Sequence, residues 1–227
     1  MMNRRRALIA SSVADYSLPS WFQETTYIAN SNSTSGTIPN LRLNLDYLPS
    51  SNTELHLRMQ RLGNSDGFPW YSAQTIDGIT YSYALNLYNQ YTYPRYADVR
   101  GNYAVAANIN AGVDYDVIFN PAKNRGRLSV KAVSASIWGH NNTAASQTDF
   151  RMTSATMSLF ATATGGNPSR MRLYSNVEIY ENVRLVIWLA TGYNKNNTSE
   201  VGVYDRVRRR FILPDGTGTM YKGSDVT

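Results

Sequence analysis

No cysteine occurs in the 227 residues. Disulfides, cysteine-ligated zinc and a thiol nucleophile are therefore excluded. The compartment stays open, because a chain without thiols is indifferent to redox poise. Histidine is nearly missing too: His56 and His140 are the two. A Ser-His-Asp triad needs only one, but a multi-histidine metal site is ruled out. Charged residues make up 17%, low for a cytosolic enzyme. No window approaches the roughly 18–20 apolar residues of a membrane helix, so no membrane partner is expected. The sequence has no P-loop or H-E-x-x-H motif. Asp66, Asp77 and Asp98 lie in turn-like sequence but lack calcium-loop spacing. Asp114 and Asp116 share a strand face, as do Glu178 and Tyr180, yet neither pair has the opposed acids of a glycosidase. The expectation is a protein that is not an enzyme, with no catalytic residue, no metal and no cofactor.

What remains is β-forming material. Hydrophobic residues reach 42%, and tyrosine alone contributes 17 residues. Tyrosine and threonine suit a pleated, half-buried surface, while asparagine, serine and glycine suit turns. The formal net charge is +6. Its only concentrations are Arg4, Arg5 and Arg6, and then Arg206, Arg208, Arg209 and Arg210. A groove that tracks nucleic acid needs a longer basic stripe with interleaved aromatics, so direct nucleic-acid contact is not expected. The first residues imitate a signal peptide. Their apolar run, residues 7–10, is shorter than the ~7–15 residues of a signal core. Residues 1–19 read instead as an exposed arm that docks on a partner, with a frayed terminus as the alternative.

Short alternating runs follow, punctuated by turns. Leu41, Leu43, Leu45 and Tyr47 share one face, as do Leu55, Leu57 and Met59. With residues 49–52 as a turn between them, the two runs read as an antiparallel pair. Asp77-Gly78 is a hairpin turn, followed by a face of Ile79, Tyr81, Tyr83, Leu85 and Leu87. Residues 103–109 read as a strand, and residues 113–119 with 127–133 as a hairpin. Met157 begins another strand, residues 165–168 a turn, and residues 172–180 one alternating strand. Residues 183–189 could be buried on both faces, and residues 192–197 read as a polar loop. Residues 201–220 close the chain as a hairpin whose arginines lie in a strand. Arg209 then faces away from Arg208 and Arg210, so no continuous arginine face forms. About a dozen strands without helices must cover one another. The predicted fold is all-β, a two-sheet antiparallel sandwich over residues 20–227.

Particular residues carry a resemblance. Residues 172–182 with Leu185 and Val186 look like a strand pair of the concanavalin A-like (LamG-type) jelly roll. Gly202, Val203, Tyr204, Asp205, Val207, Arg210 and Phe211, then Gly216 and Gly218, resemble the hairpin that ends this family in phage and gut-bacterial proteins. Thr25, Thr26, Tyr27 and Ile28, with residues 41–59, are similar to its opening strands. The physical logic agrees: Tyr204 and Phe211 can pack across strands, Asp205 can bond its own turn, and Gly216 and Gly218 admit unusual backbone angles.

The resemblance implies a structural virion protein of a tailed phage. It would be a head-fibre or capsid-decoration domain on the particle surface, with tail placement as the alternative. Arg4, Arg5, Arg6, Leu8 and Ile9 would attach it to capsid or tail proteins, and the domain would form a dimer or trimer. A second reading is a lectin-like module for bacterial surface glycan. Trp70, Tyr71, Tyr91 and Tyr93 are its candidate contacts, or contacts to a protein partner, because such rings offer large rigid faces with polar tips.

Overall fold

The computed structural model describes residues 15–30, 39–45, 50, 52–63, 67–88, 91–98, 109–120, 127–141, 156–161, 169–216 and 218–227. Every regular element among them is a strand. In chain order these are β1 (Phe22–Glu24), β2 (Tyr27–Asn30), β3 (Leu41–Asn44), β4 (Thr53–Arg61), β5 (Gly67–Ile76) and β6 (Ile79–Tyr88). Next come β7 (Tyr91–Asp98), β8 (Asp114–Asn120), β9 (Arg127–Ala132), β10 (Gly139–Asn141), β11 (Thr156–Leu159) and β12 (Met171–Tyr174). The last are β13 (Val177–Glu181), β14 (Arg184–Asn194), β15 (Asn197–Asp205), β16 (Arg210–Ile212) and β17 (Met220–Lys222).

Their pairings make two antiparallel sheets. The smaller runs β3-β11-β5-β6-β7. The larger follows β10-β9-β8-β4-β13-β14-β15-β16, with β1, β2, β12 and β17 joined at its side. Inward residues follow the period of two. Along β4, burial alternates from Thr53 to Arg61, with Leu55, Leu57 and Met59 inside. Leu41, Leu43, Trp70, Leu85, Leu87, Met157 and Leu159 of the smaller sheet belong to the same buried cluster as Leu55, Val117, Phe119, Leu173, Ile179 and Leu189 of the larger. One core between two facing layers is the sandwich arrangement.

Several local expectations are met. Asp77 and Gly78 have φ of 52° and 75°, the doubly left-handed geometry of a two-residue hairpin turn. The β8–β9 hairpin pairs Phe119 with Leu128 and Tyr115 with Ala132. Gly216 and Gly218 have φ of 94° and 143°, which glycine alone adopts without strain.

Others need correction. β3 and β4 are not partners: β3 pairs with β11 in the smaller sheet, β4 with β8, β12 and β13 in the larger. Both runs are amphipathic, but they face each other across the core instead of lying side by side. Residues 172–180 are not one strand either. Leu173 pairs with Met59 and Glu178 with His56, so residues 174–177 stand against residues 57 and 58 alone. Asn176 takes φ of 71° to absorb the excess. The sheet forks at this bulge, since β12 has β2 on its far side and β13 has β14. Residues 192–197 are not a loop, because β14 runs on to Asn194 and turns at once into β15. Tyr47, most of residues 103–109 and residues 165–168 lie outside the described residues.

Candidate functional site

The arginine-bearing turn at the end of β15 meets the N-terminal segment. Asp205, 1% exposed, organises it. Its Oδ1 accepts the amides of Val207 at 3.1 Å and Arg208 at 3.3 Å, and its Oδ2 accepts Arg208 Nη1 at 3.2 Å. This bonding bends the chain through residues 206–209 into a turn, and Arg209 reaches φ of 56°. The strand expected there is therefore corrected: only Arg210 of the three consecutive arginines lies in β16. The expected separation of the arginines still holds, because the turn sends them to different partners.

Arg206 is held on three sides. Nη1 donates to the Tyr16 carbonyl at 3.2 Å, Nη2 donates to Glu24 Oε2 at 2.8 Å, and the guanidinium lies 4.9 Å over the Trp188 ring. Tyr16 presents its edge to the same Trp188 at 5.5 Å. Arg209 Nη2 reaches Asp15 Oδ2 at 3.2 Å in a largely exposed pair. Arg210 Nη2 donates to the Asn44 carbonyl at 2.5 Å, tying the edge of the larger sheet to the end of β3. Hydrogen bonds from Ser17, hydroxyl first and amide second, hold the Asp15 carboxyl below the usual carboxylate range, and the Arg209 charge adds to them.

Beside this turn sits a second, smaller core. Phe22 packs against Tyr204 at 5.4 Å and Phe211 at 5.5 Å, and Trp21 meets the same two rings at 6.0 and 5.7 Å. The expected Tyr204–Phe211 cross-strand pair exists, with N-terminal rings packed against both. Close approach needs glycine: a Cβ at Gly192 would stand 2.1 Å from the Gln23 carbonyl oxygen. The sequence foretold the bonding of Asp205 to its own backbone but not the turn through residues 206–209, nor the N-terminal rings that meet it. Trp21 and Phe22, adjacent aromatics just past the basic start, were the available signal.

The outer face of the larger sheet carries a polar ladder. Arg58 Nε bonds Asp116 Oδ1 at 2.7 Å, with Lys131 Nζ at 3.8 Å from the other carboxylate oxygen. Asp114 Oδ1 accepts Gln60 Nε2 and the Tyr174 hydroxyl, both at 2.7 Å. His56 Nε2 lies 2.5 Å from Glu54 Oε1, and Tyr180 donates to Glu178 Oε2 at 2.7 Å. Asp114 and Asp116 thus bond side chains of other strands, while Glu178 accepts from Tyr180 of its own strand. Among the described residues no cluster of three metal-ligating side chains occurs.

Burial first, then the Asp114 hydrogen bond and charge, push the Tyr174 hydroxyl up to about 12. A raised value stabilises the fold while the phenol stays protonated. That contribution is intact below tyrosine's ordinary pKa of about 10 and is lost as pH climbs through about 12. A spectrophotometric difference titration of wild type against Tyr174→Phe should show one missing phenol, ionising near pH 12. The stability advantage of wild type over the variant should fade over the same interval.

Trp70 does not share a surface with the candidate binding tyrosines. Trp70 is fully buried and belongs to the main core, which corrects its reading as a surface contact. Alternation puts Tyr71 on the other face of β5, where it is half-buried. Tyr91 and Tyr93 lie on β7, paired with Tyr88 and Asn86 of β6. Arg4, Arg5, Arg6, Leu8 and Ile9 lie outside the described residues.

No family model matches the sequence, and no curated protein matches it. Among solved structures, a native heptameric SAP-like pentraxin from Limulus polyphemus is similar over 88% of this chain and 95% of its own, at 10% identity and a TM-score of 0.48. Scytalido-glutamic peptidase is similar over 86% of this chain and 100% of its own, at 8% identity and 0.40. A mutant Trypanosoma rangeli sialidase covers 70% of this chain and 31% of its own, at 13% identity and 0.39. None of the three says what this chain does.

Proposed function

We propose that this chain is a structural surface protein of a tailed-phage virion, of the concanavalin A-like jelly-roll kind, held to capsid or tail proteins by its N-terminal arm. Head fibre or capsid decoration is the preferred position, and a dimer or trimer the preferred state. The observation that carries this reading is the fixing of Asp15 and Tyr16 on the body by Arg209 and Arg206. An anchoring arm has to pass its load and direction to the domain it holds, and such a fixed base would do so.

The lectin-like alternative receives less support. A sugar stacks on an open ring face. Four half-buried outer rings instead already lie beneath cations: Tyr27 under Arg172, Trp188 under Arg206, Tyr193 under Lys222 and Trp138 under Lys131. Mass spectrometry and electron microscopy of purified particles test the proposal. The chain should be found in them at a fixed, repeated surface position, and absence from particles would overturn the reading. A bacterial-glycan array should show no binding, and specific binding would favour the lectin.

A further inference from the structure

Among the described residues, strand pairing of the N-terminal segment begins at Phe22. Residues 15–18 precede it and are held differently. Tyr16 is gripped by one backbone hydrogen bond from Arg206 and one ring edge on Trp188. Asp15 is held by one exposed ion pair to Arg209. Only Leu18 and Trp21 pack on the aromatic cluster beyond. A segment with few apolar contacts and no ladder hydrogen bonds opens more cheaply than the sheet beneath it.

The grip is also wired to the sheet. Glu24, which anchors Arg206, accepts the Ser175 hydroxyl through its second oxygen. Ser175 Oγ in turn accepts the Thr191 amide at 3.3 Å. Ser175 sits at the bulge where the larger sheet forks. The side chain holding the segment therefore rests on a polar junction between strands.

We propose that Arg206 and Arg209 form a side-chain latch that holds residues 15–18 on the sandwich and opens without unfolding the sheets. Its purpose rests on the anchoring reading above; its geometry does not. Arg206, shielded and bonded on three sides, carries most of the hold. Arg209 contributes an exposed pair that salt screens.

Hydrogen–deuterium exchange on the full chain tests this. In Arg206→Met, exchange at residues 16–20 should rise about tenfold, as loss of one charge-assisted hydrogen bond would give, with β14 and β15 amides unchanged. Asp15→Asn combined with Tyr16→Ala removes the ion pair and the ring edge from the segment's side, leaving only the carbonyl that Arg206 reaches, and keeps the test decisive if Arg206→Met unfolds. Unchanged exchange at residues 16–20 in both would overturn the latch. So would a rise that comes only together with the β14 and β15 amides, because the segment would then be part of the core. Failure to find the chain in particles would sink the anchoring function and leave this result standing.

Discussion

Replacing Asp205 by alanine should destabilise the protein by about 3–5 kcal/mol, the usual cost of removing one member of a buried charged pair. The carboxylate is 1% exposed, and three donors converge on it: the amides of Val207 and Arg208 and the Arg208 guanidinium. Alanine leaves the two amides without their acceptor and takes the carboxylate from Arg208. For a chain of this size the thermal midpoint should fall by roughly 2–4 °C for each kcal/mol. Asp205→Asn keeps an oxygen for the amides and should lose less. Equilibrium urea unfolding of the two variants measures the difference. A loss under about 1 kcal/mol for alanine would mean that the turn holds by other contacts. The N-terminal segment should loosen with the turn, since Arg206 and Arg209 are positioned by it.

Trp70→Ala should be as damaging, about 3–5 kcal/mol, and for a different reason. It removes a fully buried aromatic from the contact between the two sheets and leaves a cavity that the surrounding strands fill only in part. Trp70→Phe should cost less. The experiment separates the two readings of this residue. A ligand contact would leave stability intact and abolish binding, whereas a core residue lowers the unfolding midpoint whatever ligand is present.

Much of the layer structure was legible because alternation is a local property. Leu55, Leu57 and Met59 point inward as their spacing requires, and Asp77-Gly78 turns as its chemistry requires. Partner choice was not legible. Nothing in residues 41–59 distinguishes two runs that pair side by side from two that face across a core, because both cases put leucines on one face. Trp70 misled for a related reason. Composition marks it as an interface residue, while its burial depends on the register of β5 against β6, which shifts between Gly67 and Trp70.

The candidate site was half legible. The bonding of Asp205 to its own turn could be foreseen, being a matter of two or three residues. The grip of Arg206 on Tyr16 spans 190 positions and has no local signature. The Arg208–Arg210 run looked like alternation, but the buried carboxylate just before it outweighs strand preference.

The strands at the two ends of the described chain lie side by side. Met220, Tyr221 and Lys222 pair with Asn30, Ala29 and Ile28, and Thr25 bridges to Asp225. A nascent chain therefore cannot complete this edge until residues 220–225 have left the ribosome. Such sequence-distant pairing gives the domain a high contact order and slow, late folding. Deleting residues 218–227 should leave β2 with an open edge, prone to pairing with other chains.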